Sequence, residues 1–284
     1  MSERFLPAGE AAHGPYDLFI TPETLPWRYA GLRIVTLPPG GNLEWATEGE
    51  ETAVLPLRGG CTVTADGKVF DLAGRTGVFD AVSDFAYLPR DAEAAITSPT
   101  GGEFALCTAP ARRRIAPYAV AAGDIDVEVR GGGPGTRQIN NFLSADAHDA
   151  DRLIAVEVIT PEGGWSSYPP HKHDEFSEEE VELEEIYYFK IAGRNGVGVF
   201  ACYTPDRSID DTVTVRDGDT YLVPRGYHGP SGATPGHHMY FLNVMAGPAE
   251  ERIWRFTDDP AHAGARAALE QLPPDPRLPL TQAG

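Results

Sequence analysis

Apolar and polar residues follow one another in short runs along most of the chain, and turn residues close each run. GLRIVTL (Gly31–Leu37) ends at Pro38-Pro39-Gly40-Gly41, and TAVLPL (Thr52–Leu57) ends at Gly59-Gly60. Cys61–Ala65, Arg75–Phe79, Phe85–Leu88 and Phe104–Thr108 continue the habit. The second half repeats it in Leu153–Ile159, Glu185–Ile191, Gly196–Tyr203, Thr212–Val215, Tyr221–Val223 and Met239–Met245. Runs of this length, rich in β-branched and aromatic residues and bounded by Gly and Pro, predict strands. So many of them predict an all-β sandwich or barrel fold. One helix is predicted, Ala261–Gln271, stopping before Pro273-Pro274.

The two halves share an order of features. DAVSDFAYLPRDAE (80–93) and DGDTYLVPRGYH (217–228) align through Pro89-Arg90 and Pro224-Arg225, which sets Glu93 opposite His228. FALCTAP (104–110) then matches YFLNVMAG (240–247). A shared sequence of strand, Pro-Arg turn and closing strand predicts two similar β-barrels in tandem. Their expected bounds are residues 1–120 and 151–284, joined by a connection over 121–150. Within that connection Gly131-Gly132-Gly133-Pro134-Gly135 reads as a loop, because no Walker-type lysine accompanies it.

Composition narrows the function. The chain has 284 residues, 42% of them hydrophobic, enough for a large core without staples. A formal net charge of -19 repels phosphate backbones and anionic membrane surfaces, so neither nucleic acid nor membrane is an expected partner. The three cysteines, Cys61, Cys107 and Cys202, are widely spaced and give no disulfide framework. With no secretory leader and no apolar span, a cytoplasmic location is expected.

The chemistry-bearing stretch is Tyr168-Pro169-Pro170-His171-Lys172-His173-Asp174. In extended chain, His171 and His173 share a face and Lys172 points away. Two imidazoles so placed are candidate ligands for one metal ion. Acidic residues crowd the next stretch, and most belong to a solvated loop. Strand alternation selects among them. Glu185, Tyr187, Phe189 and Ile191 form one face, expected to look inward; Glu184, Ile186, Tyr188 and Lys190 form the other, expected to be more exposed. A carboxylate in a barrel interior is costly unless it is paired or bound to metal, which favours Glu185 as third ligand. Glu178 is the rival, being nearer His173 in sequence. The fourth candidate is His228, which a Pro-x-Gly turn aims back toward the barrel mouth.

Two histidines, a glutamate and a distant histidine on tandem barrels resemble a bicupin. The blocks Trp165–Asp174, Leu183–Tyr188, Leu222–His228 and Tyr240–Gly247, with Trp254-Arg255-Phe256, resemble the 5-deoxy-glucuronate isomerase family of inositol catabolism. That family is related to 5-keto-4-deoxyuronate isomerase. The resemblance is dense from about Glu157 to His262 and looser before it; Arg137–Phe142 fits only loosely. It implies that His171, His173, Glu185 and His228 bind one divalent metal, zinc or manganese, with no organic cofactor. The N-terminal barrel, lacking HxH and carrying Glu93 opposite His228, is expected to have no metal site.

The reaction so implied is an aldose–ketose isomerisation of 5-deoxy-D-glucuronate to 5-dehydro-2-deoxy-D-gluconate. A metal would act on the carbonyl and hydroxyl oxygens as Lewis acid and template. Tyr187 and Tyr240 are the expected proton carriers, and Arg225 the expected partner of the substrate carboxylate. The partner is a small sugar acid, and a homo-oligomer is expected. Competing readings are an isomerase of another uronate, such as 4-deoxy-5-keto-uronate, a non-catalytic sugar-acid-binding bicupin, and an iron-dependent dioxygenase.

Overall fold

The computed structural model describes residues 3–22 and 27–283. The apolar runs become antiparallel strands grouped in three sheets. A nine-stranded sheet system spans Leu18–Ile20 to Tyr118–Val120 and wraps around an interior of Val35, Val54, Val63, Ile96, Phe104 and Leu106. A seven-stranded sheet and a six-stranded sheet close the second barrel over Tyr187, Phe189, Phe200, Tyr221, Phe241 and Met245. The fold is all-β, with two barrels in tandem.

The barrels stand back to back. Ala53, Leu55, Tyr87, Ala105 and Cys107 of the first pack with Ile186, Tyr188, Leu222, Tyr240, Leu242 and Val244 of the second. Strands in that position lie between two cores, so both faces must be apolar. Ile154–Thr160 and Met239–Ala246 are accordingly buried at every residue. This packing corrects one expectation. The Glu184-Ile186-Tyr188-Lys190 face is not a solvent face; Ile186 and Tyr188 are buried against the first barrel, and Glu184 and Lys190 are half-buried at its ends. Lys190 Nζ donates to Glu103 at 3.1 Å, and Glu184 accepts from the amides of Arg28, Tyr29 and Ala30.

Other elements depart from the pattern for identifiable reasons. Thr52–Leu57 and Cys61–Ala65 are two parts of one strand, Glu50–Ala65. Its register shifts near Arg58 and Gly59, so its first half pairs with Phe85–Leu88 and its second with Lys68–Arg75. Such a bulge lets one strand serve two sheets. Arg75–Phe79 is not a strand: Arg75 ends Lys68–Arg75, and the chain then turns, with Thr76 Oγ1 donating to Asp80 at 2.8 Å. The segment over 121–150 carries two strands, Val127–Arg130 and Arg137–Leu143, that extend the seven-stranded sheet. Phe5–Leu6 reaches the opposite edge of that sheet and pairs with Thr220–Tyr221. The helix is shorter than expected, Ala265–Glu270, preceded by a 3-10 turn at Pro260–His262. No helix among the described residues is long and apolar enough to cross a membrane.

Candidate metal centre and its cavity

Three side chains converge inside the second barrel. Glu185 stands on the lumen face of Glu184–Ile191, His173 follows His171–Lys172, and His228 comes from Tyr227–Ala233. All three are buried, and each offers a ligand atom within 4.8 Å of the others. Glu185 Oε2 lies 3.0 Å from both His173 Nε2 and His228 Nε2. Glu178, the rival carboxylate, is exposed on the acidic loop, where its carbonyl accepts from Arg255.

Backbone carbonyls orient the rings. His173 Nδ1 lies 2.9 Å from Leu183 O, and His228 Nδ1 lies 3.2 Å from Gly226 O. A carbonyl only accepts, so each Nδ1 carries a proton and each Nε2 is the nitrogen turned to the centre. This is the support that metal-binding imidazoles receive from outer partners. The turn before His228 is fixed in the same way. Gly226 has φ +94°, where a Cβ would sit 2.7 Å from Tyr203 O, and its amide donates to Asp174 at 2.7 Å. Lys172, pointing away from the centre, holds Asp174 and the buried Glu180.

The electrostatics match a cation site. The two imidazoles hold the Glu185 carboxyl well below the usual carboxylate range despite its burial. Glu185 in turn raises His173 against the desolvation that would lower it. His171 goes the other way: burial and the neighbouring His228 push it well below its ordinary value, so it stays neutral. Its ring packs edge-on to His228, 4.5 Å between centroids, and its backbone is in register with His228. His171 therefore stands beside the three-residue cluster, against His228. His228 Nε2, although near Glu185, is buried without a well-aligned hydrogen bond among the described residues. A buried nitrogen set between a carboxylate and a second imidazole fits the donor set of a divalent ion, which takes such N and O atoms together.

A cavity opens from the centre, walled by His171, Glu185, Tyr187, Asn243, Trp254 and Phe256 among others. Three arginines line it as well: Arg130, Arg137 and Arg266. Tyr187 is in place, its hydroxyl 3.4 Å from Ser167 Oγ and its pKa raised by burial and by Glu185. Two expected residues are elsewhere. Tyr240 faces the seam between the barrels, donating to Glu157 at 2.8 Å, because neighbours on a strand point to opposite sides and Phe241 takes the lumen. Arg225 is exposed on the turn, donating to Ser208 Oγ at 3.1 Å, and does not line the cavity. The cavity arginines have no short-range signature; they come from two strands and the C-terminal helix.

Relatives place this arrangement. A curated protein of Geobacillus kaustophilus named 5-deoxy-glucuronate isomerase is 38% identical over 265 residues, 92% of this chain and 95% of its own length. Its counterpart in Geobacillus thermodenitrificans is 40% identical over 259 residues, covering 89% and 93%. The crystal structure of an IolB-like protein from Salmonella typhimurium LT2 superposes with a TM-score of 0.86 at 33% identity, covering 92% of this chain and 98% of that one. Oxalate decarboxylase of Lactobacillus farciminis, at 15% identity and TM-score 0.66 over 96% and 97%, shares the cupin fold alone. The KduI/IolB family matches residues 5–265, and the chain belongs to that family.

Proposed function

We propose that this protein is a metal-dependent aldose–ketose isomerase that converts 5-deoxy-D-glucuronate to 5-dehydro-2-deoxy-D-gluconate. The observation that carries this reading is the buried His173–Glu185–His228 cluster at the base of a cavity lined by cations. Relatives at 37–40% identity bear the name of this isomerase. The metal would be held by His173, Glu185 and His228, with His171 the fourth donor beside them; zinc and manganese both accept imidazole and carboxylate. A divalent ion there supplies a Lewis acid for the sugar's carbonyl and adjacent hydroxyl oxygens.

The chain's own residues do the rest. Isomerisation moves a proton from the carbon bearing the hydroxyl to the former carbonyl carbon, with no net redox change. Tyr187 keeps its proton on Oη, held there by burial and the Glu185 charge, and is placed to donate a hydrogen bond to a sugar oxygen. Asn243 stands on the same wall beside the Tyr187 hydroxyl, and its side-chain amide serves the same end. Trp254 and Phe256 give the cavity an apolar wall for the reacting carbons.

The test is an anaerobic assay of the purified protein on 5-deoxy-D-glucuronate and on 4-deoxy-5-keto-uronate, before and after chelation. Turnover of the first without oxygen, lost on chelation and restored by zinc or manganese, is the expected result. Turnover of the second alone would move the protein to the other uronate. Metal with tight sugar-acid binding and no turnover would make it a binding protein.

A further inference from the structure

The three cavity arginines are not equivalent. Arg130 makes a two-pronged pair with Glu128, at 2.7 and 2.6 Å. Arg266 does the same with Asp258, at 2.8 and 2.5 Å. Each fork is thus already filled by a carboxylate. Arg137 lies between them with one hydrogen bond, from Nη1 to Gly135 O at 3.3 Å, and no carboxylate in salt-bridge range among the described residues. The residue is half-buried; desolvation first, and the like charges of Arg130 and Arg266 next, push its pKa down to about 10 against the weaker pull of Glu128 and Glu270. A guanidinium drawn partly out of water with no carboxylate on its own fork adds little to stability.

The surroundings are shaped to hold it. Gly131, at φ +81°, lets the backbone approach so closely that a Cβ there would sit 2.7 Å from Arg137 Nη1. A Cβ on Gly135 would meet Leu269 at 2.9 Å, and one on Gly132 would strike Leu269 O and Leu272 O. The glycine run is therefore more than a turn. It cradles the guanidinium and lets the C-terminal helix, which brings Arg266, close over it. Arg137 and Arg266 also line a small recess with Gly131, Tyr168, Leu269 and Glu270 that contains no residue of the metal cluster. Arg137 thus lies on the helix side of the cavity, beyond the metal centre's own residues.

We propose that Arg137 is the carboxylate-recognition residue of this cavity, its open guanidinium fork receiving the terminal carboxylate of the sugar acid. Arg130 and Arg266, each with its own carboxylate, flank it. Planar two-pronged recognition of a carboxylate is the use for which arginine, rather than lysine, is suited. The inference rests on the isomerase reading for the identity of the sugar, though not for the chemistry of the anchor.

The test compares wild type, Arg137→Met and Arg137→Lys on 5-deoxy-D-glucuronate and on 5-deoxy-D-glucose, which has a hydroxymethyl group in place of the carboxylate. Metal content and Tm are measured on each protein. For Arg137→Met, KM for the acid is expected to rise at least 30-fold. Its kcat/KM on the neutral sugar should stay within about threefold of wild type. Metal content should be unchanged and Tm equal or higher, since a repelled, half-buried charge has been removed. Arg137→Lys should recover only part of the preference for the acid. Equal loss on both sugars, or a clear fall in Tm with the preference intact, would make Arg137 a structural residue and overturn the proposal. A turnover-free arm uses the shift in Tm caused by D-glucuronate against D-glucose. Stabilisation by the acid alone, abolished in Arg137→Met, supports the anchor even if wild type isomerises neither sugar, an outcome that removes only the isomerase reading. Absence of that stabilisation in wild type overturns the anchor.

Discussion

Two tyrosines that look alike in sequence have opposite placements. Tyr187 Oη opens on the cavity, whereas Tyr240 Oη is spent on Glu157 in the seam between the barrels. Tyr187→Phe is expected to keep its metal and lose at least tenfold in kcat, read by steady-state kinetics with elemental analysis. Tyr240→Phe is expected to keep activity within about twofold and lose about 1.5–3 kcal/mol of stability in urea, the usual net worth of a hydrogen bond to a charged group. Equal effects from the two variants would refute the assignment of their faces. Glu185 was legible because a carboxylate in phase with Tyr187, Phe189 and Ile191 has to be explained. Tyr240 was not, because MYFLNVMA is buried on both faces and alternation cannot say which face is the lumen. Arg225 misled for a related reason: its match with Arg90 marks a shared turn, where Arg90 bonds to Asp91 and Ala111 O.

At the scale of elements, the turns aim the candidate ligands. Gly229 follows His228 at φ +94°, and a Cβ there would collide with Ser167 O across the sheet. Gly229→Ala should therefore displace His228 and loosen the Trp165–Ser166 pairing at once. A loss of at least 2 kcal/mol in stability together with reduced metal content is expected, measured by urea melts and elemental analysis. Wild-type metal content with wild-type stability would show that this turn does not position the histidine. The HxH pair and the Pro-x-Gly turn were readable because they act within a few residues. The strands Val127–Arg130 and Arg137–Leu143 were hidden by their setting: a Gly-Pro loop divides them, and their role is set by the distant Ile154–Thr160 strand.

At the scale of the molecule, the two barrels are joined by a buried ion pair, Arg75 of the first with Glu157 of the second. Tyr240 and Asn140 complete the shell of Glu157, and Arg75 also donates to Pro56 O and Ala81 O. Losing one partner of such a pair costs about 3–5 kcal/mol because the other charge stays buried. Arg75→Met is expected to cost that much, and the Arg75→Met, Glu157→Leu pair less than the sum of the singles, in a double-mutant cycle by urea denaturation. Strict additivity would mean that the barrels are not coupled through this contact. The tandem plan was legible from the repeated Pro-Arg turns, but the seam was not, since contacts such as Arg75 with Glu157 have no local signature. The central claim is that the second barrel holds a metal on which isomerisation depends. The most direct measurement is metal content per chain, by elemental analysis, on wild type and Glu185→Gln after chelation and reloading with zinc or manganese, alongside the anaerobic assay on 5-deoxy-D-glucuronate. About one ion per wild-type chain, with at least tenfold loss of both metal and turnover in the variant, is expected. Full turnover by a wild-type protein that retains no metal would contradict the account.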